Sequence, residues 1–167
     1  MREKFFQSLG ELKFTLEYIS ILIRNNNKAV TRMNIFLALS SSTAIAGWAI
    51  FSGKGFIIWA MIIGLSQVIT VIRPQISIDK WSKALPKLEV ELMSIFLEMK
   101  KLWFDVDNGL IEDKKIHEIL CGFDESSFAT INKHLEGARF DNIKIKTEAD
   151  SKANYDLVRE YGGIINE

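Results

Sequence analysis

Two long uncharged runs dominate the pattern of hydrophobic and polar positions. The first covers residues 33–53 and the second covers residues 55–72, with Lys54 between them. A hydrocarbon core about 30 Å thick is crossed by about 20 apolar helical residues, so each run predicts a membrane-spanning helix. Glycines on both sides of Lys54 favour a tight turn. The alternative is a soluble helical hairpin, which needs more surrounding protein than this chain of 167 residues offers.

The segments that flank this hairpin both show heptad spacing. Before the first run, apolar residues alternate at spacings of four and three: Phe5, Leu9, Leu12, Leu16, Ile19 and Ile23. After the second run the same alternation is carried by Trp81, Leu85, Leu88, Leu92, Ile95, Met99, Leu102 and Val106. This pattern predicts two amphipathic helices that pair antiparallel. We expect the second seam to join subunits of a homo-oligomer, with packing inside one chain as the alternative.

Helix-breaking residues suggest where these elements end. Asn25, Asn26 and Asn27 have poor helix propensity and predict a hinge just before the first span. Pro74 should end or kink the second span, and Pro86 should kink the heptad helix or mark its start. Asn108 and Gly109 predict a helix end.

The last sixty residues predict short helices. One covers 111–121, a second is capped by Asp124 or Ser126 and reaches Leu135, and a third covers 148–161 before two glycines. Residues 140–147 alternate and predict a short strand or an extended link. The fold class is therefore all-α: a cytoplasmic helix in 1–32, the hairpin in 33–73, a heptad helix in 74–108 and an acidic cytoplasmic region in 109–167.

Charge gives the orientation of the hairpin. Formal net charge is zero, but the first 107 residues hold 13 basic and 9 acidic side chains. Basic residues near the span ends are Lys13, Arg24, Lys28, Arg32, Arg73, Lys80, Lys83 and Lys87. Such residues stay on the cytoplasmic side, so we expect both termini in the cytoplasm and a lipid bilayer as the first partner. The basic residues do not form the concentrated stripe that a nucleic-acid duplex requires.

Polar and small residues within the spans are candidates for the functional site. Ser66, Gln67 and Thr70 cluster near the cytoplasmic end of the second span. They predict either an interhelical hydrogen bond or the polar lining of a pore in an oligomer, with an apolar gate around Ile63. The stripes of small residues are Ala38, Ser42 and Ala46 in the first span, with Ala60 and Gly64 in the second. They predict close packing of the hairpin, or of one subunit against another.

Catalytic motifs are missing from the sequence. It has no P-loop, dinucleotide fingerprint or nucleophile elbow. His117 and Cys121 are four residues apart, but two ligands do not make a zinc site; we expect a solvent-facing His117 and a core-facing Cys121. The single cysteine fits a reducing compartment. We expect no enzyme, no cofactor and no metal.

The order of elements resembles the SLATT superfamily, which are two-transmembrane effector domains of bacterial conflict systems. The resemblance rests on the helix 5–23, the spans 33–53 and 55–72 with the turn between them, Pro74, and the heptad 81–106. It implies an antiphage effector that oligomerises and permeabilises the inner membrane when a nucleotide second messenger or a partner sensor protein signals infection. The alternatives are a two-span sensor whose tail binds a cyclic oligonucleotide, and a passive membrane scaffold that recruits a partner.

Overall fold

The computed structural model describes residues 1–50, 54–72, 78–136 and 141–162, without the side chains of 41–50, 54–56, 58 and 78–79. Its elements are five helices: α1 (Arg2–Ile50), α2 (Lys54–Ile72), α3 (Ile78–Asp107), α4 (Asp113–Leu135) and α5 (Ile143–Tyr161). The all-α prediction is confirmed for these residues. Within the same described set, none of the helices combines the length and the apolar character needed to cross a membrane. The membrane hairpin therefore stays a prediction.

The chain divides into two compact units. One consists of residues 1–23 together with the chain from Ala84 onward, and the other consists of residues 24–83. Helix α1 begins in the first unit and ends in the second. The predicted hinge at Asn25–Asn27 is wrong, because α1 is helical through it. Three asparagines cost about 2 kcal/mol of helix propensity, but helix propagation from both sides is cooperative. Asn26 also donates to Ser82 Oγ, 2.7 Å away.

Helix α3 contains Pro86 in its interior. Its first residue is Ile78, so the interpretation of Pro86 as the helix start is wrong. The predicted end at Asn108–Gly109 is confirmed. Gly109 has φ 68°, its N–H donates to Val106 O, and the N–H of Leu110 donates to Asp105 O. This pair of hydrogen bonds satisfies the last carbonyls of α3 and reverses the chain into α4.

The C-terminal region differs from its prediction in two places. Residues 113–135 form one helix, so no new helix begins at Asp124 or Ser126, although the end at Leu135 is confirmed. The strand or link predicted for 140–147 is wrong for residues 143–147, which are the first turns of α5. Asn142 caps this helix, since its side chain accepts from the N–H groups of Lys144 and Ile145. The predicted end of α5 before the glycine pair is confirmed.

The first unit is a helical bundle with an apolar core, and Ile21, Ile145 and Ala149 form a further buried cluster between α1 and α5. The start of α1, the part of α3 after Ala84, α4 and α5 contribute to the core. The fully buried large side chains are Phe5, Leu9, Leu85, Leu88, Leu92 and Met99. At one end an aromatic cluster forms around Trp103, whose ring centroid is 6.1 Å from Phe5, 5.2 Å from Phe6 and 6.4 Å from Tyr161. Aromatic pairs at such distances contribute beyond their buried area.

A network of charges connects α1 to α5 beside this core. Lys13 Nζ lies 2.7 Å from Glu17 Oε1 and 2.9 Å from Asp156 Oδ2, and Lys152 also contacts the Glu17 carboxylate. Burial raises the pKa of Glu17, but the hydrogen bonds from Lys13 and Lys152 outweigh it and the pKa is lowered. Burial lowers the pKa of Lys13, but the contacts with Glu17 and Asp156 outweigh it and the pKa is raised.

Replacing Glu17 by glutamine is expected to lower the free energy of unfolding by about 2 kcal/mol at pH 7, since Lys152 is half exposed and water screens its part of the interaction. A lowered carboxyl pKa stabilises the fold above the unfolded pKa of about 4.3 and loses this effect as pH falls through the folded pKa. The difference between wild type and variant should therefore shrink below about pH 4. Urea denaturation of the full chain at several pH values measures it. Glu118→Gln, on an exposed position of α4, is the control, and a difference that does not depend on pH would contradict the expectation.

Candidate functional site

Helix α2 exposes an apolar side. Its most exposed large side chains are Ile57, Met61, Leu65, Val68 and Val71, each more than half exposed. The less exposed side holds Trp59, Ile62, Ile63, Ser66 and Ile69. In a water-soluble helix the polar residues face outward and the apolar ones face inward. Over the part of α2 whose side chains the structure describes, this separation is missing: the less exposed side is apolar apart from Ser66, and the exposed side also carries a row of aliphatic groups.

The predicted polar residues of α2 satisfy their hydroxyl groups within the helix. Ser66 Oγ donates to Ile63 O and Thr70 Oγ1 donates to Ser66 O, both over 2.8 Å. Ser66 is buried, Ile63 is half-buried, and both Gln67 and Thr70 are exposed. Of the proposed pore lining, Gln67 and Thr70 are thus accessible on the single chain, whereas Ser66 is not.

A second row on α2 combines small residues with Gln67. Ala60, Gly64, Gln67 and Val71 follow one another at spacings of four, three and four, and all are exposed. A Cβ built on Gly64 meets nothing within 4 Å. We call these four residues the small-residue row. Their spacing is that of a helix–helix contact, and the missing side chain at Gly64 allows a close approach of backbones. Of the first span's stripe, Ala38 is exposed, while the side chains of Ser42 and Ala46 lie outside the described residues.

The described side chains of the first span resemble those of α2, because a buried serine bonds to its own helix and aliphatic side chains are exposed. Ser40 is buried and its hydroxyl donates to Phe36 O over 2.8 Å. The backbone of its own helix therefore satisfies this hydroxyl. Ile35 and Leu39 are each more than half exposed. The side chains of Ser41 and Thr43 lie outside the described residues.

From Leu85 onward, the predicted oligomer seam of α3 belongs to the core of the bundle, whereas Trp81 lies in the other unit. Leu85, Leu88, Leu92 and Met99 are at most 2% exposed within one chain, and Trp81, Ile95 and Leu102 are half-buried. The side chains packed in the core would meet a second copy only if the bundle opened, so this seam between subunits stays a prediction. The other side of α3 exposes Val90, Met93, Leu97 and Phe104.

Two recesses in the bundle are lined by acidic residues. One of about 470 Å³ lies between α1 and α5 and contains Glu11 and Asp150. Another of about 160 Å³ lies between α1, α3 and α4 and contains Glu11 and Asp124. No lysine, arginine or histidine lines either of them. A ligand that carries phosphate groups needs positive partners, so neither recess has the lining expected of a cyclic-oligonucleotide site.

His117 and Cys121 differ in part from their prediction. Both are exposed on α4, and Cys121 Sγ lies 3.8 Å from His117 Nε2. A core-facing Cys121 is therefore wrong: the core side of α4 is formed by Ile116 and Leu120 instead. Across the described residues, no three side chains of His, Cys, Asp or Glu form a group that could hold a metal ion.

The charge network between α1 and α5 is not predictable from the sequence pattern, and the basic residues before the first span predict only the orientation of the hairpin. Lys13 and Glu17 stand four residues apart, a spacing that indicates an ion pair on one helix. Their partners on α5 lie more than 130 residues away along the chain, which spacing does not reveal. Neither a protein-family model, nor a curated protein, nor a solved structure matches this chain.

Proposed function

We propose that this chain is a two-span protein of the bacterial inner membrane, with residues 33–53 and 55–72 in the bilayer and both termini in the cytoplasm. The observation that carries the proposal is the exposed aliphatic side of α2. Exposed Ile57, Met61, Leu65, Val68 and Val71 would form an aliphatic surface in contact with water. Large exposed apolar patches are rare on soluble monomers and mark contact with membrane or protein. Hydroxyl groups bonded to their own helix backbone also suit a medium without water.

The proposed activity is an ion-conducting pore assembled from several copies. Two thin helices cannot enclose water, so conduction requires neighbouring copies. The small-residue row offers the surface for them, since Ala60 and Gly64 permit close approach and Gln67 places an amide at the contact. Gln67 is then the polar group beside the conduction path, and the apolar residues around Ile63 hold a closed pore by excluding water.

The biological setting that we propose is antiphage immunity, in which an infection signal opens the pore and depolarises the membrane. This setting is supported by the order of elements, which resembles SLATT effectors. The alternative of a sensor with a cyclic-oligonucleotide site in its tail is disfavoured by the acidic lining of both bundle recesses. A passive scaffold remains distinguishable by experiment, because it would not conduct.

Gln67→Leu is expected to abolish conductance while keeping the oligomer size, because the row still packs but has lost its polar group. The Gly64→Leu variant is expected to lose both conductance and the oligomer, since the leucine side chain holds neighbouring helices apart. Planar-bilayer recordings and mass measurement in detergent test the two variants. Val68→Leu, on the exposed apolar side, is the matched control and should behave like wild type.

Two outcomes would contradict the pore. A wild-type protein that is monomeric in detergent cannot form one, and a conducting Gln67→Leu variant removes Gln67 from the path. In the second case Gln67 serves as a hydrogen bond between helices, which is worth well under 1 kcal/mol on average in membranes.

A further inference from the structure

A row of basic residues crosses one face of α1. Arg24, Lys28 and Arg32 stand four residues apart, all exposed, in the unit that begins at Arg24. Together with Asn27 and Thr31 they line one recess of about 440 Å³. The five side chains come from the same face of one helix, so the recess is open to one side. We call these five residues the basic recess.

The sequence around the basic recess has no acidic residues. Between Glu17 and Asp79 the sequence has neither Asp nor Glu. The same segment contains the basic residues Arg24, Lys28, Arg32, Lys54 and Arg73. Like charges four residues apart destabilise a helix by a few tenths of a kcal/mol per pair. The row contains two such pairs, and it concentrates positive charge on one face of α1.

The position along α1 indicates the kind of ligand. Arg32 is followed directly by Met33, the first residue of the uncharged run. From Arg24 to Arg32 the helix rises about 12 Å, whereas the headgroup layer on each side of a bilayer is roughly 5–8 Å thick. If residues 33–53 enter the hydrocarbon, the three basic residues from Arg24 to Arg32 therefore span the layer of lipid phosphates. The recess has no aromatic ring on which a nucleotide base would stack.

We propose that the basic recess binds the phosphate of an anionic phospholipid headgroup. The inference rests on the membrane location given under the proposed function. Each guanidinium offers a fork of N–H donors to phosphate oxygens, Lys28 adds a positive charge between them, and Asn27 and Thr31 donate further hydrogen bonds. A zwitterionic lipid carries its own ammonium group beside the phosphate, so the recess selects lipids with net negative charge.

The test titrates the purified full chain, in an uncharged detergent, with phosphatidylglycerol or with phosphatidylcholine of the same acyl chains. Native mass spectrometry counts the bound lipid. A basic residue near an anionic surface contributes about a fivefold change in affinity. The triple variant R24Q/K28Q/R32Q is therefore expected to lose roughly a hundredfold in affinity for phosphatidylglycerol, with phosphatidylcholine binding unchanged.

The control variant K4Q/K114Q/K115Q removes the same charge at exposed positions outside the recess, and it should retain wild-type affinity. Equal binding of both lipids by wild type, or an equal loss in the control, would overturn the proposal. Displacement of the lipid by equimolar inorganic phosphate or by a cyclic dinucleotide would overturn the lipid as ligand. Carbonate extraction of the wild-type chain from membranes is a separate readout. An extractable chain that still selects phosphatidylglycerol would contradict membrane insertion but not the recess.

Discussion

Leu92→Glu is expected to unfold the bundle formed by residues 1–23 and the chain from Ala84 onward. Leu92 is fully buried in α3, so a carboxylate there loses its water and gains no partner. The cost is several kcal/mol, comparable with the whole stability of a small domain. Leu92→Ala should retain the fold at a cost of about 2–5 kcal/mol. Urea denaturation of the full chain, followed by circular dichroism, measures both variants.

Val90→Glu is the matched control, two residues away on the same helix. Val90 is 70% exposed, and a charge at such a position changes stability by about 0.5 kcal/mol or less. One result would instead place the α3 seam between subunits. If Leu92→Glu stayed as stable as Val90→Glu and only the oligomer dissociated, Leu92 would lie between subunits rather than inside the bundle.

Two lysines on the exposed side of α2, Leu65→Lys with Val68→Lys, are expected to prevent stable insertion into the membrane. Leu65 is 55% exposed and Val68 is 51% exposed, so in water the change would cost little. In hydrocarbon each lysine costs about 3 kcal/mol. The variant should shift from the carbonate-resistant membrane fraction to the soluble or aggregated fraction. The control pair, Leu110→Lys with Val158→Lys, is similarly exposed but lies outside both uncharged runs.

A labelling experiment on Cys121 reports the orientation. Cys121 is the single cysteine of the chain, and it is exposed. In intact spheroplasts the wild-type thiol should be protected from a membrane-impermeant maleimide, and it should react after lysis. Labelling before lysis would place the C-terminal region outside the cell. A double-lysine variant that stays in the membrane fraction would place α2 in contact with protein or water instead of lipid.

Strong periodic patterns predicted much of the fold. Most of the predicted seam from Leu85 to Val106 is buried in α3, although Phe96 and Trp103 are buried in place of the half-buried Ile95 and Leu102. The matching seam from Phe5 to Ile19 is buried in α1. Both carry apolar groups at heptad spacing on a polar background, so burial follows directly from the sequence. The helix ends at Asp107, Leu135 and Tyr161 were also predictable, the first and last from the glycines beyond them.

Weak local signals failed for a common physical reason. Asparagines at 25–27 disfavour a helix by only fractions of a kcal/mol each, and the helical residues on both sides outweigh them. Ile143 and Ile145 alternate with lysines over too short a segment to separate a strand from a helix. Ile145 is one of the buried residues of α5, while Ile143 is exposed. The positive charge of the basic recess is evident from the sequence. That its five residues line one recess depends on side-chain directions, which the sequence does not give.

The charge network between α1 and α5 has a consequence for the alignment of these two helices. The buried residues of α5 recur every four positions, at Ile145, Ala149, Ala153, Leu157 and Tyr161. If α5 slid by one turn along α1, an apolar residue of this repeat would still face α1 at each level, although the side chains differ in size. The ion pairs would be lost, because sliding one way sets Glu17 against Asp156, and sliding the other way sets Glu17 against Glu148 and Lys13 against Lys152. Like charges brought together beside a core are strongly unfavourable. The network therefore favours the observed register through charge, in addition to the fit of the apolar side chains.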